Sequence, residues 1–253
     1  MARKNAPHKP TGPATMPLAD VLFSQGLGAR RECEGLVLAG LVQVAGRTLT
    51  DPYEPMVTDG LVLEVEGRPW PFHAQAVILM HKPAGYECSR KPSAWPSVLT
   101  LLPGPLRRRD VQPVGRLDVD TTGLLLLTDD GALIHRLTHP KRHVPKVYEV
   151  TTARPVEDAQ LDKLRAGVVL HDEPTAVRVL ACERSGGPGG ECAMRMTLGE
   201  GKYHQVKRMV AAVGNHVEAL HRSAFGALTL PADLAPGQWR WIDDPAVIWA
   251  AGS

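Results

Sequence analysis

The sequence predicts an α+β protein with a small N-terminal domain and a larger second domain. Its 253 residues and 43% hydrophobic content suffice for two domains of this kind. The N-terminal part shows two short helical patterns followed by alternating strands, and residues 67–76, with Pro69 and Pro71, predict a linker. Beyond the linker, strands and helices follow one another without the regular strand–helix–strand repeat of a parallel sheet.

The first domain is expected over residues 17–66, after a disordered basic tail formed by residues 1–16. The tail has no apolar periodicity that would predict a helix or a strand. In the domain itself, apolar residues spaced three and four apart predict helices, and alternating apolar residues predict strands. Gly40 follows the second helix in the usual position for a helix end. The expected elements are a helix near Leu18, a helix over residues 30–39, and strands over residues 42–44 and 61–65.

The second domain is expected over residues 77–253. Two continuous apolar runs, residues 77–80 and the four leucines 124–127, are typical of buried strands. Asp129 and Asp130 stand where a carboxylate can cap a following helix, and Pro140 ends that helix. The other expected elements are strands over residues 146–150, 177–180 and 193–198, and helices over residues 131–138, around residues 161–167 and over residues 203–213.

Basic residues are concentrated in three windows, although the formal net charge of the chain is only +2. Residues 82–116 hold seven basic and two acidic residues, a net of +5. Residues 135–154 hold five basic residues and one acidic residue, a net of +4. Residues 201–222 hold four basic residues and one acidic residue, a net of +3. Such concentration indicates a polyanionic partner. The alternative is that these windows are simply solvated faces.

Several classes of protein are disfavoured by the composition. The four cysteines are far apart and form no CxxC pair, so we expect reduced thiols rather than disulfides or a zinc site. No apolar run approaches the roughly 18 residues that span a bilayer, and the N-terminus lacks the apolar stretch of a secretory signal. We therefore expect a cytoplasmic protein that has no membrane partner.

Residues 114–131 are the most informative part of the chain. An apolar strand follows a short acidic loop, which predicts that Asp118 is held against the core, close to a cation. The run Asp118-Val119-Asp120-Thr121 also fits the nucleophile loop of haloacid-dehalogenase-like phosphatases, which use Mg²⁺. In that class the apolar strand precedes the acids, whereas here it follows them. The phosphatase is therefore the disfavoured alternative, and Asp129 and Asp130 are expected to form a turn and helix cap.

Residues 115–118 and 122–131 resemble the motif that carries the catalytic acid of pseudouridine synthases. The resemblance extends from residue 77 to about residue 240, and residues 18–46 resemble the small alpha-L RNA-binding domain. It implies an alpha-L domain followed by a mixed, largely antiparallel sheet. It also implies the branch that acts on bacterial ribosomal RNA, with small-subunit 16S rRNA as the expected substrate. A large-subunit 23S rRNA enzyme and a non-catalytic ribosome-assembly factor are the alternatives.

The resemblance implies a role for each site residue. Asp118 is the catalytic acid, which either attacks the sugar or abstracts a proton, and Lys207 is its basic partner. Arg116 intercalates into or braces the RNA stack as the target base is flipped. Tyr148 supplies an aromatic platform, and Val206 backs its ring. The residues expected to contact RNA are Arg30 and Arg31 in the first domain and Lys82, Arg142 and Arg208 in the second.

The implied reaction also limits the partners. Isomerising uridine is redox-neutral and needs no outside group, so we expect neither a cofactor nor a metal ion. The expected partner is ribosomal RNA, either free or within a partly assembled ribosomal subunit. We expect the protein to act as a monomer.

Overall fold

The structure is a computed structural model that describes residues 15–171, 173–186 and 190–249. The chain forms two compact units. The first consists of the residues up to Ala74 together with Gly104–Arg109, and the second consists of Gln75–Pro103 and the residues from Asp110 onward. Most of the predicted basic tail lies outside the described residues, and its last two positions, Thr15 and Met16, belong to a short strand.

The first unit packs α-helices against two small sheets. Its apolar core contains Leu18, Val37 and Leu63, all completely buried. Strands β3-β2-β5-β6 form one antiparallel sheet, and β1 pairs with β4. Its elements are β1 (Thr15–Pro17), α1 (Leu18–Ser24), α2 (Arg30–Leu38), β2 (Val42–Val44), β3 (Arg47–Leu49), β4 (Pro55–Val57), β5 (Val62–Val65), β6 (Arg68–Pro71) and α3 (Gly104–Arg108).

Part of the segment predicted as a linker is a strand. β6 pairs with β5 at the edge of the four-stranded sheet, with Pro69 opposite Glu64 and Pro71 opposite Val62. Proline lacks the N–H that a central strand must donate, but an edge strand tolerates it. The prolines therefore marked a sheet edge rather than a break in the structure.

The second unit is built on a nine-stranded sheet. Its main path runs β11-β12-β10-β13-β9-β7-β15, with β14 paired to β13 and β8 paired to β9. Every pairing is antiparallel except that of β9 with β13, which is parallel. Its strands are β7 (Val77–Lys82), β8 (Gln112–Pro113), β9 (Thr122–Thr128), β10 (Lys146–Thr152), β11 (Ala181–Arg184), β12 (Ala193–Leu198), β13 (Val217–Phe225), β14 (Leu228–Thr229) and β15 (Trp239–Trp241).

Three helices complete the second unit: α4 (Gly131–Thr138), α5 (Asp158–Ala166) and α6 (Gln205–Ala212). The predicted cap of α4 is present, because Asp130 Oδ1 accepts hydrogen bonds from the N–H groups of Ala132 and Leu133 at 2.9 and 3.1 Å. Leu133 and Leu137 form the buried face of α4 and belong to a core that includes Leu124 and Leu126 of β9. No described helix is long and apolar enough to cross a membrane.

Two strands of the second unit differ from the prediction. The strand expected over residues 177–180 begins at Ala181, and Val177 makes only an isolated bridge with Val168. The central strand β13 was not predicted at all, because Glu218 and His221 interrupt its apolar pattern and Arg222, although charged, is almost completely buried. The guanidinium Nε of Arg222 donates to the carbonyl of Leu124 at 2.8 Å, which partly offsets the cost of burial.

Gly123 allows β9 and β13 to approach each other. Its φ of +109° is one that side chains rarely adopt, and a Cβ atom there would lie 2.3 Å from the carbonyl oxygen of Arg222. Residues 222 and 123 are register partners in the parallel pairing. The glycine that precedes the leucine run is therefore needed at the point where β9 enters the sheet, immediately after the acidic loop.

Candidate active site

The loop of residues 114–121 sets Asp118 beside the start of α6. The Nζ atom of Lys207 lies 3.4 Å from Asp118 Oδ2, and the Nε2 atom of His204 lies 3.4 Å from Asp118 Oδ1. The Asp118 side chain is 27% exposed, so a ligand can reach it while the loop holds it. The predicted acid therefore has a cation beside it, as the sequence indicated.

Lys207 bridges the two acids of the loop. Its Nζ lies 2.7 Å from both carboxylate oxygens of Asp120, which is closer than its distance to Asp118. Partial burial opposes the charged form of Lys207, but the hydrogen bond to Asp120 and the charges of both acids outweigh it and raise its pKa. Burial likewise opposes ionisation of Asp120, but the hydrogen bond from Lys207 outweighs it and lowers the pKa of Asp120. Lys207 therefore carries a positive charge beside Asp118. Its short hydrogen bonds go to Asp120, which leaves the oxygens of Asp118 available to a ligand.

A cavity beside Asp118 brings together the predicted active-site residues. Arg116, Tyr148, Val206 and Lys207 line the same cavity as Asp118, although they come from the acidic loop, β10 and α6. Tyr148 is buried within the sheet, and Arg116 is exposed. The cavity is also lined by residues for which no role was predicted, among them Glu200, Gly201, Lys202 and His204.

His204 is the contact of Asp118 that sequence reasoning missed. The predicted helix over residues 203–213 starts only at Gln205, because His204 has a left-handed backbone with φ +46°. This conformation turns the chain just before α6, where the His204 ring contacts Asp118. No apolar or charge pattern in the sequence signals such a conformation at a histidine.

Lys82 does not contact RNA, contrary to the prediction, because its side chain is completely buried. Its Nζ donates to the carbonyls of Pro83 at 3.0 Å, Asp118 at 3.0 Å, Val119 at 3.2 Å and Thr121 at 2.8 Å. Burial lowers the pKa of Lys82, although the charges of Asp120 and Asp118 act in the opposite direction. Lys82 thus links the end of β7 to the backbone of the acidic loop through these hydrogen bonds.

The other predicted RNA contacts differ in exposure. Arg30 and Arg31 are exposed on α2, and Arg30 pairs with Asp20. Arg142 is exposed in a short turn that follows α4. Arg208 is half-buried, and its Nη1 donates to the carbonyl of Tyr203 at 3.0 Å.

A buried lysine near the site makes stability depend on pH. Burial lowers the pKa of Lys146 to about 8, the charge of Arg222 acts in the same direction, and Glu200 acts against it. Between pH 8 and the ordinary lysine pKa of 10.5, the unfolded chain binds this proton and the folded chain does not. The free energy of unfolding should therefore rise across this interval, by on the order of 3 kcal/mol from this residue.

Urea unfolding at pH 7.5 and at pH 10 measures this effect. The variant Lys146→Met keeps the aliphatic stem and removes the proton, so it should gain less stability than the parent on going to pH 10. Equal gains in the two proteins would show that Lys146 titrates normally.

The acids of the site are not arranged as a metal centre. Within the described ranges, no group of three or more histidine, cysteine, aspartate or glutamate side chains could hold a metal ion. The two acids that suggested a Mg²⁺ phosphatase share Lys207 instead, and both lie in the loop directly before the apolar strand β9.

Comparison with known proteins adds independent findings. A family model described as RNA pseudouridylate synthase matches residues 76–212, and one described as S4 domain matches residues 16–55. The chain is 39% identical over 240 residues to ribosomal small subunit pseudouridine synthase A of Escherichia coli, covering 90% of this chain and 97% of that protein. It is 37% identical to an uncharacterized RNA pseudouridine synthase of Bacillus subtilis, covering 90% and 95% of the two chains.

A solved structure gives a similar result. The crystal structure of a pseudouridylate synthase matches with a TM-score of 0.63 and 30% identity, covering 92% of this chain and 98% of that one. Together with the sheet topology, these matches confirm the predicted fold class, a small N-terminal RNA-binding domain followed by a domain with a largely antiparallel sheet.

Proposed function

The chain belongs to the RNA pseudouridylate synthase family, and from this premise we propose that it isomerises a uridine of small-subunit ribosomal RNA with Asp118 as the catalytic acid. Membership makes the protein an isomerase that converts uridine in RNA into pseudouridine. The observation that carries the rest is the position of Asp118, at a cavity beside Lys207, His204 and Tyr148.

The chemistry requires one well-placed carboxylate. The C1′–N1 bond of the uridine breaks, the uracil turns, and a C1′–C5 bond forms. C5 loses its proton and N1 gains one, so the product has the same atoms as the substrate. Asp118 serves either as the nucleophile at C1′ or as the base that removes a proton. Lys207 places an ammonium group 3.4 Å from Asp118 Oδ2, next to the carboxylate that reacts.

The target base must leave the RNA stack to reach Asp118. Flipping costs a few kcal/mol, and stacking on an aromatic ring returns roughly 1–3 kcal/mol. Tyr148 is the aromatic ring in the wall of the cavity, and Val206 lines the same wall. Arg116 is exposed at the rim, where its guanidinium group can fill the space that the base leaves.

The ribosomal substrate is proposed from the relatives. The Escherichia coli protein is named for the ribosomal small subunit, and it is similar over nearly its whole length. The S4-domain match provides a second RNA-binding unit, which suits a large structured RNA better than a short one. The substrate is either free 16S rRNA or the same RNA within a partly assembled subunit.

Direct modification of RNA tests this proposal. The purified protein is incubated with 16S rRNA, with 23S rRNA and with an assembly intermediate of the small subunit, and pseudouridine is mapped in each. We expect modification at one uridine of 16S rRNA, and the same uridine should be unmodified in cells that lack the protein. Modification confined to 23S rRNA, or to none of these RNAs, would contradict the proposed substrate.

The exposed arginines of α2 should supply affinity rather than chemistry. The double variant Arg30→Ala/Arg31→Ala removes up to two phosphate contacts, so the slope of log affinity against log salt should become shallower by about 1–2. The rate with saturating RNA should stay near that of the parent.

A matched control shows whether the salt slope depends on the position of the removed charges or only on their number. The variant Lys163→Ala/Arg178→Ala removes two exposed charges from the second unit, neither of which lines the cavity at Asp118. Its salt slope should equal that of the parent. If both double variants changed the slope equally, α2 would have no special part in RNA binding.

A further inference from the structure

Two large aromatic side chains are exposed in one groove beside Asp118. Trp95 is 53% exposed and Tyr203 is 73% exposed, although they lie more than a hundred positions apart in the chain. Both line a groove of about 680 Å³ that also includes Asp118, Arg116 and Lys207. Isolated exposed apolar residues are common on protein surfaces, but two exposed aromatic rings in one groove indicate a ligand.

Tyr203 is linked to Asp118 through a stacked ring. The rings of Tyr203 and His204 are nearly parallel, with centroids 3.8 Å apart and planes 17° apart. His204 in turn contacts Asp118 through Nε2. One face of the Tyr203 ring is therefore covered, and its high exposure leaves the opposite face open to a planar group. A base stacked there would be separated from Asp118 by two rings, so it cannot be the base that reacts.

Trp95 is held in its exposed position by its own loop. The carboxylate of Glu87 accepts hydrogen bonds from the N–H groups of Ser93, Ala94 and Trp95 at 3.0, 2.9 and 2.9 Å. These backbone bonds lower the pKa of Glu87 to about 2, so the carboxylate is ionised at neutral pH. The hydrogen bonds thus order the backbone that carries the exposed indole ring, which reduces the entropy lost when a base stacks on it.

A cationic surface adjoins this groove at Arg116, which lines both. Arg116 also lines a second groove, of about 870 Å³, together with Arg90 and Lys91. Arg90, Lys91 and Arg116 are all exposed. Cationic side chains along a path, with aromatic rings beside it, form the usual recognition surface for single-stranded nucleic acid.

We propose that Trp95 and Tyr203 form a base-stacking subsite for unpaired nucleotides that flank the target uridine in the RNA. The subsite is distinct from the cavity at Tyr148, which receives the uridine itself. This inference rests on the proposed function, because it takes RNA as the substrate and Asp118 as the reacting group. It predicts that the protein selects uridines in unpaired segments and gains affinity from their neighbours.

The test uses the parent protein, four variants at Trp95 and Tyr203, and one control variant. Trp95→Ala and Tyr203→Ala remove a ring, whereas Trp95→Phe and Tyr203→Phe keep one. The substrate is a minimal RNA fragment around the mapped uridine. A second version of the fragment has abasic nucleotides on both sides of that uridine. The control, Val169→Ala, trims a side chain that is 77% exposed in the same unit.

With the intact fragment, each alanine variant should lower kcat/KM about 5- to 100-fold, mainly through KM. The phenylalanine variants and the control should stay within about threefold of the parent. With the abasic fragment, the parent should fall to the level of the alanine variants, which should lose little more. Equal losses on both fragments, or no loss on either, would overturn the subsite.

The same data separate this inference from the proposed function. If the parent forms no pseudouridine in any ribosomal RNA, the proposed function fails. If the parent is active but Trp95→Ala and Tyr203→Ala match it, only the subsite fails. The alanine variants could also lower kcat/KM with an assembly intermediate but not with the bare fragment. That result would indicate a protein ligand for the groove and would also overturn the subsite.

Discussion

Replacing Asp118 with asparagine should abolish pseudouridine formation and leave RNA binding close to that of the parent. Asparagine keeps the shape of the side chain but can neither attack the sugar nor take up a proton as a carboxylate does. Removal of such a group typically lowers kcat by roughly 10⁴- to 10⁶-fold. The fold should persist, because Lys207 keeps its shorter contacts with Asp120 and because Lys82 binds only the backbone carbonyl at position 118.

The neighbouring acid provides the matched control for this substitution. Asp120→Asn removes a carboxylate from the same loop, and its side chain is far more exposed than that of Asp118. Lys207 would lose its main partner but keep Asp118, so kcat should fall by no more than about tenfold. Single-turnover assays and filter binding measure both quantities. Normal product from Asp118→Asn, or an equal loss from Asp120→Asn, would remove Asp118 from its proposed role.

The elements that the sequence predicted well are those whose pattern is local. β7, β9, β10 and β12 follow continuous or alternating apolar runs, and each was predicted to within two residues at either end. The motif around Asp118 is likewise a single stretch of chain, so the sequence alone could single it out. Lys207 lies far from that stretch, and only the family resemblance joined the two before the structure brought them together.

Two wrong or missing predictions concern charged side chains that are buried. Lys82 and Arg222 belong to windows with a net positive charge, yet both are buried and bind backbone carbonyls of the sheet and the acidic loop. Composition counts charges but does not tell which of them face solvent. His204 was missed for another reason, because its place beside Asp118 depends on a left-handed backbone that no pattern announced.

Substituting Lys82 should be the most damaging change outside the reacting groups. In Lys82→Met, the carbonyls of Pro83, Asp118, Val119 and Thr121 lose their common donor. Those of Asp118 and Val119 still accept from backbone N–H groups, so the main loss falls on the carbonyls of Pro83 and Thr121. Buried polar groups left unsatisfied cost about 1–3 kcal/mol each, so even partial relaxation should destabilise the fold by about 3 kcal/mol. Displacing a reacting group by about 1 Å can lower the rate by about 100-fold, so kcat should fall at least that far.

Hydrogen exchange distinguishes a loosened loop from general instability. The Gly85 N–H donates to the Val119 carbonyl at 2.8 Å, so its protection reports on the acidic loop directly. In Lys82→Met this amide should exchange faster under conditions where the core strands are still protected. Lys146→Met removes another buried lysine from the same sheet and should leave the exchange rate of this amide unchanged.

The outcome decides the role of Lys82. A Lys82→Met protein with parental kcat and parental Gly85 protection would mean that the loop keeps its shape without the lysine. A protein that is only less stable, with parental kcat, would limit Lys82 to a role in folding. Loss of kcat together with selective exposure of Gly85 would instead identify Lys82 as the residue that positions Asp118.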